Sequence, residues 1–450
     1  MPTKLDNKFA DSLWRPMTQH AVPPKAAFKQ FVRGEGCYLY DEAGERHLDA
    51  LAGLYCVNVG YGREEIATAA GEAMLKLAYL APSMACSGAI ELADKLAEMI
   101  GASGQVYFSS SGSEANETAF KIARQLHAQN EGGARRYKII ARYRGYHGNT
   151  LGALSATGQS QRKAIYEPLA PGFLHTMPPY PYRSAWGDDV QAEGAFAASQ
   201  LEEMIIHEGA ETVAAVIMEP IISGGGIIIP PDNYLGLVRD ICDRHGVLLI
   251  FDEVVSGFGR TGKMFGFQHS SVMPDIMTFG KGLTSGYFPV GATYVRQELA
   301  DKFLGDTADF KYFRQINTFG GHPVGMAVAL ANLRIVQGEQ LTQNAQIQGD
   351  FIRKTLRDEI GDHPNVGDIR GEGLLTGVEF VVDRETKEPL SEDKMGGLVA
   401  GCFEDGVIVS RNGTTIPGRE NVFVMTPPLC IQKDDAAIAA NALIAQVGKL

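Results

Sequence analysis

The sequence predicts an α/β protein built on a mainly parallel sheet, followed by a smaller α+β domain. Three observations lead there. Short apolar runs alternate with helical patterns through the middle of the chain, as βαβ units require. Several runs end abruptly in a carboxylate or a glycine-flanked lysine, the kind of residue expected where parallel strands reach the ligand-facing edge of a sheet. From about residue 326 the texture changes to alternating, polar-rich stretches.

Taken in order, Val106–Phe108 and Lys138–Ala141 read as strands. Val213–Met218 is a wholly apolar strand that ends in Glu219-Pro220. A helix near Asn233–His245 follows, with Leu235, Val238, Ile241 and Cys242 at helical spacing and Gly246 as its stop. Val247–Phe251 is the next strand and delivers Asp252-Glu253; Ile276–Phe279 is another and delivers Gly280-Lys281-Gly282. A helix at Met326–Gln337 leads into strand-like stretches at Leu374–Val381, Val407–Ser410 and Asn421–Met425. The expected division is a large domain over 61–325 and a small domain over 326–450. Residues 1–60, with little helical pattern, are expected to join the small domain or a subunit contact.

A chain of 450 residues exceeds the roughly 250–300 at which one core stops growing, which fits two domains. Its net charge of -12 argues against nucleic acid or an anionic membrane as the main partner, because both demand basic patches. Cys37, Cys56, Cys86, Cys242, Cys402 and Cys430 show no zinc or redox spacing, so they read as reduced thiols. The ten histidines show no paired ligand spacing, and no metal site is expected. The N-terminus carries no apolar leader pattern and no run approaches a membrane span, so the expected location is cytoplasmic.

Three features at the strand ends carry chemistry. Strand Val106–Phe108 runs into Ser109-Ser110-Ser111-Gly112-Ser113-Glu114 and a helix, where free N–H groups and the positive end of the dipole suit an anion. An ordinary N-cap explains the same residues. Asp252 ends an apolar strand and needs a partner there. Lys281, between glycines, can act as a desolvated nucleophile, although a lone loop lysine is commonly solvent-facing. A phosphate cradle, a carboxylate and a reactive lysine together are what pyridoxal 5′-phosphate requires: an anchor, a partner for the pyridinium nitrogen and a Schiff-base amine. Two nucleotide readings of Gly257–Lys263 fail. Met264 stands where a P-loop needs Ser or Thr, and Gly266 and Pro274 interrupt any long helix after the loop.

Leu249-Ile250-Phe251-Asp252-Glu253-Val254, Gly257–Gly262, Pro274-Asp275-Ile276 and Gly280-Lys281-Gly282 resemble the class III aminotransferase signature at its spacing. Leu51–Gly62, Ser111–Asn116, Tyr146-His147-Gly148, Thr318–Pro323 and Thr426-Pro427-Pro428 extend the resemblance over nearly the whole chain. It implies the fold type I architecture of pyridoxal-phosphate enzymes, and a homodimer or homotetramer with sites at the subunit boundary. It also implies that Lys281 carries the cofactor, Asp252 pairs with its ring nitrogen, Gly112 and Ser113 bind phosphate, and Thr318 reaches the neighbouring subunit's phosphate. Tyr146 would stack on the ring, Val254 would pack on the other face, and Glu219 would support the site. Tyr146 and Val254 are also ordinary core residues.

Leu51–Gly62 is similar to the ω-amine and ω-amino acid:pyruvate transaminases, including taurine:pyruvate relatives. Tyr55 stands where amine-specific members often have Trp, and Phe319-Gly320 where many have Tyr-Ser, which changes the pocket. The implied activity is transfer of an amino group from a primary amine or ω-amino acid to pyruvate, with Lys281 as general base. Arg411 matches the family's mobile arginine, which can hold carboxylate; a surface loop arginine is the alternative. The residues leave the donor open among β-alanine, taurine, diamines and aryl-alkyl amines. Rival readings are an aminomutase or decarboxylase of the same fold, or a non-catalytic ligand-binding relative.

Overall fold

The computed structural model describes residues 12–20, 29–130, 136–309, 311–413 and 415–450. Most of the N-terminal stretch read above for a leader, residues 1–11, lies outside them. Among the described residues no helix is long and apolar enough to cross a membrane.

The chain begins with an antiparallel meander of β1 (Phe31–Glu35), β2 (Tyr38–Asp41) and β3 (Arg46–Asp49). It then builds a seven-stranded sheet from β4 (Gly104–Ser109), β5 (Lys138–Arg142), β6 (Phe173–Thr176), β7 (Val213–Met218), β8 (Leu248–Asp252), β9 (Ile276–Phe279) and β10 (Gly291–Arg296). The order is β4-β10-β9-β8-β7-β5-β6, and only β10 runs against its two neighbours. The expected mainly parallel sheet is therefore present. β6 and β10 were not foreseen, because one is four residues at an edge and the other follows a turn with no helix before it.

A parallel sheet is stable only when both faces are covered, and the strands show how this is done. Successive residues of β7 and β8 point to opposite sides. Ile217 and Ile250 pack with Ala119, Phe120, Ala123 and Leu126 of the helix Gly112–Asn130. Val216 and Leu249 pack with Leu201 and Ile205 of the helix Val190–His207 and with Leu235, Val238 and Ile241 of Tyr234–His245. The two faces are separate cores, which is why these strands read as continuous apolar runs.

The C-terminal part holds β11 (Val366–Glu372), β12 (Leu375–Phe380), β13 (Val407–Ile408), β14 (Ser410–Arg411) and β15 (Val422–Met425). The single strand expected at Val407–Ser410 is instead two. β13 pairs in parallel with β3, whereas β14 joins β15 in the sheet β11-β12-β15-β14. Leu48, Ala50 and Val59 share one core with Leu341, Ile352, Phe380, Phe423 and Leu443. The helix Pro323–Gly338 belongs to both regions: Met326, Ala329 and Leu333 enter the core below the large sheet, while Val324, Val328 and Ile335 enter the C-terminal one.

On the edge strand β6, His175 Nε2 lies 3.1 Å from the Ala156 carbonyl, and no carboxylate pairs with it among the described residues. Burial and the nearby Lys163 push its imidazole down to about 4 from an ordinary 6.5. Between those values the unfolded chain binds a proton that the folded chain does not, so stability falls as pH drops through the window. The expected outcome is a urea midpoint that declines less from pH 6.5 to 4 in His175→Gln than in the wild type.

Candidate active site

Five strand ends meet at one edge of the large sheet. β4 leads to Ser109–Gly112, β5 to Tyr146 and His147, β7 to Glu219, β8 to Asp252, and β9 to Lys281. Sequence-distant residues thus converge where an open sheet offers a crevice.

Asp252 is 3% exposed. His147 Nδ1 and Asn116 Nδ2 both donate to its Oδ2 at 2.8 Å, and the Val254 N–H donates to Oδ1 at 3.0 Å. Asn116 is itself fixed: the Thr278 hydroxyl donates to its Oδ1 at 2.7 Å, and its amide also donates to the His147 carbonyl at 2.6 Å. No lysine or arginine pairs with Asp252 among the described residues; its one ion-pair contact is the His147 ring. His147 Nε2 is buried without a hydrogen-bond partner.

The N-cap that offered an ordinary explanation for the Ser/Gly loop is present. Ser111 Oγ accepts from the Glu114 N–H at 3.2 Å, and the Glu114 carboxylate accepts from the Ser110 N–H at 2.7 Å. The cap still leaves Gly112 and Ser113 in the first turn, where N–H groups have no intrahelical acceptor. Gly112 is bare because its surroundings demand it: a Cβ there would lie 2.9 Å from Val254 Cγ1. Ser113 Oγ faces Asn149, donating to its Oδ1 at 3.0 Å and accepting from its N–H at 3.2 Å.

Lys281 opens a short turn with φ +41°, a costly conformation for a residue with a side chain. It is half-buried. Burial pushes its amine below the ordinary lysine range, opposed by the negative field of Asp252 and aided by the positive field of Arg162. Glu219 accepts from the Tyr146 N–H at 3.1 Å and the Ser223 N–H at 2.9 Å; burial still pushes its carboxyl up. Glu253, also fully buried, is pushed up by burial to about 7 although Ser256, Gly266 and Phe267 donate to it.

Tyr55 lies in a turn with φ +60° and packs with Val255 against Ile221, Ile227, Leu375, Val422 and Val424. This apolar wall joins the segments after β7 and β8 to strands β12 and β15 of the C-terminal sheet. Burial and the charge of Glu219 push the Tyr55 hydroxyl up, and Arg162 opposes them. Arg162 was not foreseen. Its guanidinium sits 5.1 Å from the centroid of the Tyr146 ring, and its field is felt at Tyr55, Tyr146 and Lys281. It comes from a four-residue helix with no pattern to mark it.

Two expected residues have partners outside this set. Arg411 Nη2 pairs with Glu392 at 2.7 Å. Thr318 lies in an exposed turn, where its carbonyl accepts from the Tyr79 hydroxyl at 3.1 Å beside Phe319, which is 60% exposed.

The sequence matches the aminotransferase class-III family over residues 21–447. The chain belongs to the class-III aminotransferases. An uncharacterized aminotransferase of Bacillus subtilis, YhxA, is 51% identical over 411 residues, which is 91% of this chain and 90% of the relative. A taurine–pyruvate aminotransferase of Bilophila wadsworthia is 42% identical, covering 96% of this chain and 93% of its own. The crystal structure of a Bacillus anthracis aminotransferase superposes with a TM-score of 0.94 at 45% identity, covering 97% of this chain and 96% of that one.

Class-III aminotransferases use pyridoxal 5′-phosphate, and this chain's donor set fits it. A buried carboxylate without a lysine or arginine partner suits a protonated ring nitrogen, and the bare backbone at Gly112 suits a phosphate. Replacing Asn116 with Ala strips one donor from Asp252 and strands the Thr278 hydroxyl, at a cost of about 1–3 kcal/mol. The expected outcome is cofactor binding weakened about tenfold or more in a fluorescence titration; an unchanged Kd removes this role for Asn116.

Proposed function

We propose that this aminotransferase moves the amino group of an ω-amino acid or related primary amine, of the taurine or β-alanine kind, to pyruvate, giving alanine. The observation that carries this reading is Arg162, a guanidinium 5.1 Å from the centroid of the Tyr146 ring, whose field reaches Tyr55 and Lys281. An ω-amino acid presents a primary amine at one end and a carboxylate or sulfonate at the other. Lys281 meets the first end and Arg162 the second, with the planar fork suited to either acid group. The match to a taurine–pyruvate aminotransferase over almost the full length of both chains supports the same donor class.

The cofactor supplies an aldehyde that takes up the amino group and a ring that accepts electrons when the donor carbon loses its proton. The remaining work falls to side chains. Lys281 Nζ, its pKa lowered by burial, accepts that proton and hands one back, so it acts as general base and then acid. Asp252, oriented by His147, Asn116 and the Val254 N–H, would pair with the ring nitrogen. Gly112 and Ser113 N–H groups would hold the phosphate, Tyr146 and Val254 would flank the ring, and Glu219 braces Tyr146 through its backbone. Arg411, tied to Glu392 here, is the second cation that can turn toward an α-carboxylate once that exposed pair opens.

The chain works as a homodimer or homotetramer. Thr318 sits in an apolar patch with Phe319, Ile316 and Tyr79, each at least 45% exposed. A second copy docked there would carry its own Thr318 toward this subunit's phosphate site. The cytoplasm is the proposed location.

Four experiments test this reading. Borohydride reduction of the holoprotein should leave a pyridoxyl mass on the Lys281 peptide, and Lys281→Ala should lose about 10²–10⁴ in rate. In a panel of taurine, β-alanine, a diamine and an aryl-alkyl amine against pyruvate and 2-oxoglutarate, alanine should form from the acidic donors. Glutamate alone, or an unlabelled Lys281, overturns the assignment. Arg162→Ala should raise KM for taurine or β-alanine about tenfold or more and leave a diamine unaffected. Equal loss for all donors would remove Arg162 from acid recognition.

A further inference from the structure

The glycine-rich run Gly257–Gly262 imitates a nucleotide loop in sequence, yet only the short turn Gly266–His269 follows it. Its arginine is an unusual charge. Arg260 is 0% exposed, and among the described residues it has no carboxylate at ion-pair distance. Burial pushes its guanidinium down to about 10. A buried cation without a counter-ion is costly, several kcal/mol by ordinary solvation arguments, so its partners explain its presence.

Those partners lie on three distant segments. Nη2 donates to Asn58 Oδ1 at 2.8 Å, and Nη1 donates to the Pro427 carbonyl and, at 3.4 Å, to that of Leu374. Asn58 returns the contact: its amide donates to the Phe258 carbonyl at 2.9 Å, and its own carbonyl accepts from the Leu429 N–H at 2.7 Å. Asn58 Nδ2 is also pressed against the turn that carries Lys281. A Cβ at Gly282 would stand 2.4 Å from that nitrogen and 3.2 Å from Phe258 Cβ. One residue on, the Val59 N–H donates to Ser285 Oγ at 3.2 Å.

On its other side Asn58 continues into the strained turn of Ala52 and Tyr55, where φ is +50° and +60°. Asp49, which accepts from the Gly53 N–H and the Tyr61 hydroxyl at 2.6 Å each, holds that turn from below. Arg260 and Asn58 therefore stand between two strained turns, one bearing Lys281 and the other Tyr55.

We infer that Arg260 and Asn58 form a positioning pair that fixes the Lys281 turn against the Tyr55 turn, with Arg260 acting through Asn58 and not on the substrate. This rests on the assignment of Lys281 and Tyr55 to the active site. Lysine at 260 would keep the charge but could not bridge Asn58 and Pro427 with one planar fork. Misplacing a reacting group by about 1 Å costs up to about a hundredfold in rate.

The test uses full-length Arg260→Lys, Asn58→Ala and the double variant. Expected for each is a kcat per cofactor-loaded site reduced by about ten- to a hundredfold, with cofactor Kd changed less than about threefold, because Asp252 and Gly112 are untouched. The double variant should be no slower than the slower single one, since both break one contact. In cofactor-free protein, the pH at which Lys281 becomes half-reactive toward acetic anhydride, read by mass spectrometry, should rise as water reaches its turn.

Additive losses overturn the pairing. So does a folded Arg260→Lys protein whose kcat and Lys281 reactivity profile match the wild type, even if its melting temperature falls. Should Arg260→Lys fail to fold, Asn58→Ala carries the same readouts, and no change in them overturns the inference. Because the labelling needs no turnover, a wild-type protein that transfers no amine would count against the proposed function alone.

Discussion

A carboxylate at the end of a fully buried strand must be held by donors, and Asp252 sets that demand at the centre of this protein. Meeting it fixes much else. Asn116 must project from the first turns of the helix Gly112–Asn130, which places that helix's N-terminus beside the carboxylate. His147 must come from the segment after β5, and Thr278 must lie on β9 to hold Asn116. Three separate stretches are thereby pinned around one acid, and the Gly112 loop, Tyr146 and the Lys281 turn take their places relative to it. Among the described residues no lysine or arginine pairs with this carboxylate, and a cationic heterocycle would supply the missing charge.

The parts legible in the sequence were those with a local signature. β7, β8 and β9 are apolar runs ending in residues too polar for their setting, and the helix Tyr234–His245 carries its pattern and its stop in consecutive residues. The mainly parallel sheet followed from these. The meander β1–β3 was not legible because each strand is only four or five residues long, and β10 because no helix precedes it to complete a βαβ unit. The splitting of Val407–Ser410 between two sheets is a purely tertiary decision, taken by the partners β3 and β15. Asp252, Lys281 and Glu219 stood out by position. The donors that make Asp252 tolerable lie 105 and 136 residues away, beyond the reach of any spacing argument. Arg162 had no signal at all until the Tyr146 ring was seen beneath it.

Strain is concentrated around the site. Ala52, Tyr55, Phe258, Lys281 and Ser285 all have φ between +41° and +60°. At roughly 1–3 kcal/mol each, such conformations persist only where neighbours over-determine them. Here the neighbours are Asp49, Asn58, Arg260 and Asn332, whose amide donates to the Gly282 and Leu283 carbonyls at 2.9 and 3.0 Å. A polar scaffold of this kind keeps two turns in place without filling the crevice between them.

The helix Pro323–Gly338 gives side chains to both cores, and this has a mechanical result. Lobes joined only by a flexible tether can melt one at a time. Here neither lobe can come apart without pulling this helix's side chains from the other, so heat or denaturant should dismantle the subunit in one concerted event. Any opening of the crevice during turnover must then come from loops at its rim, since a swing of whole lobes would have to drag this shared rod through two packed interiors.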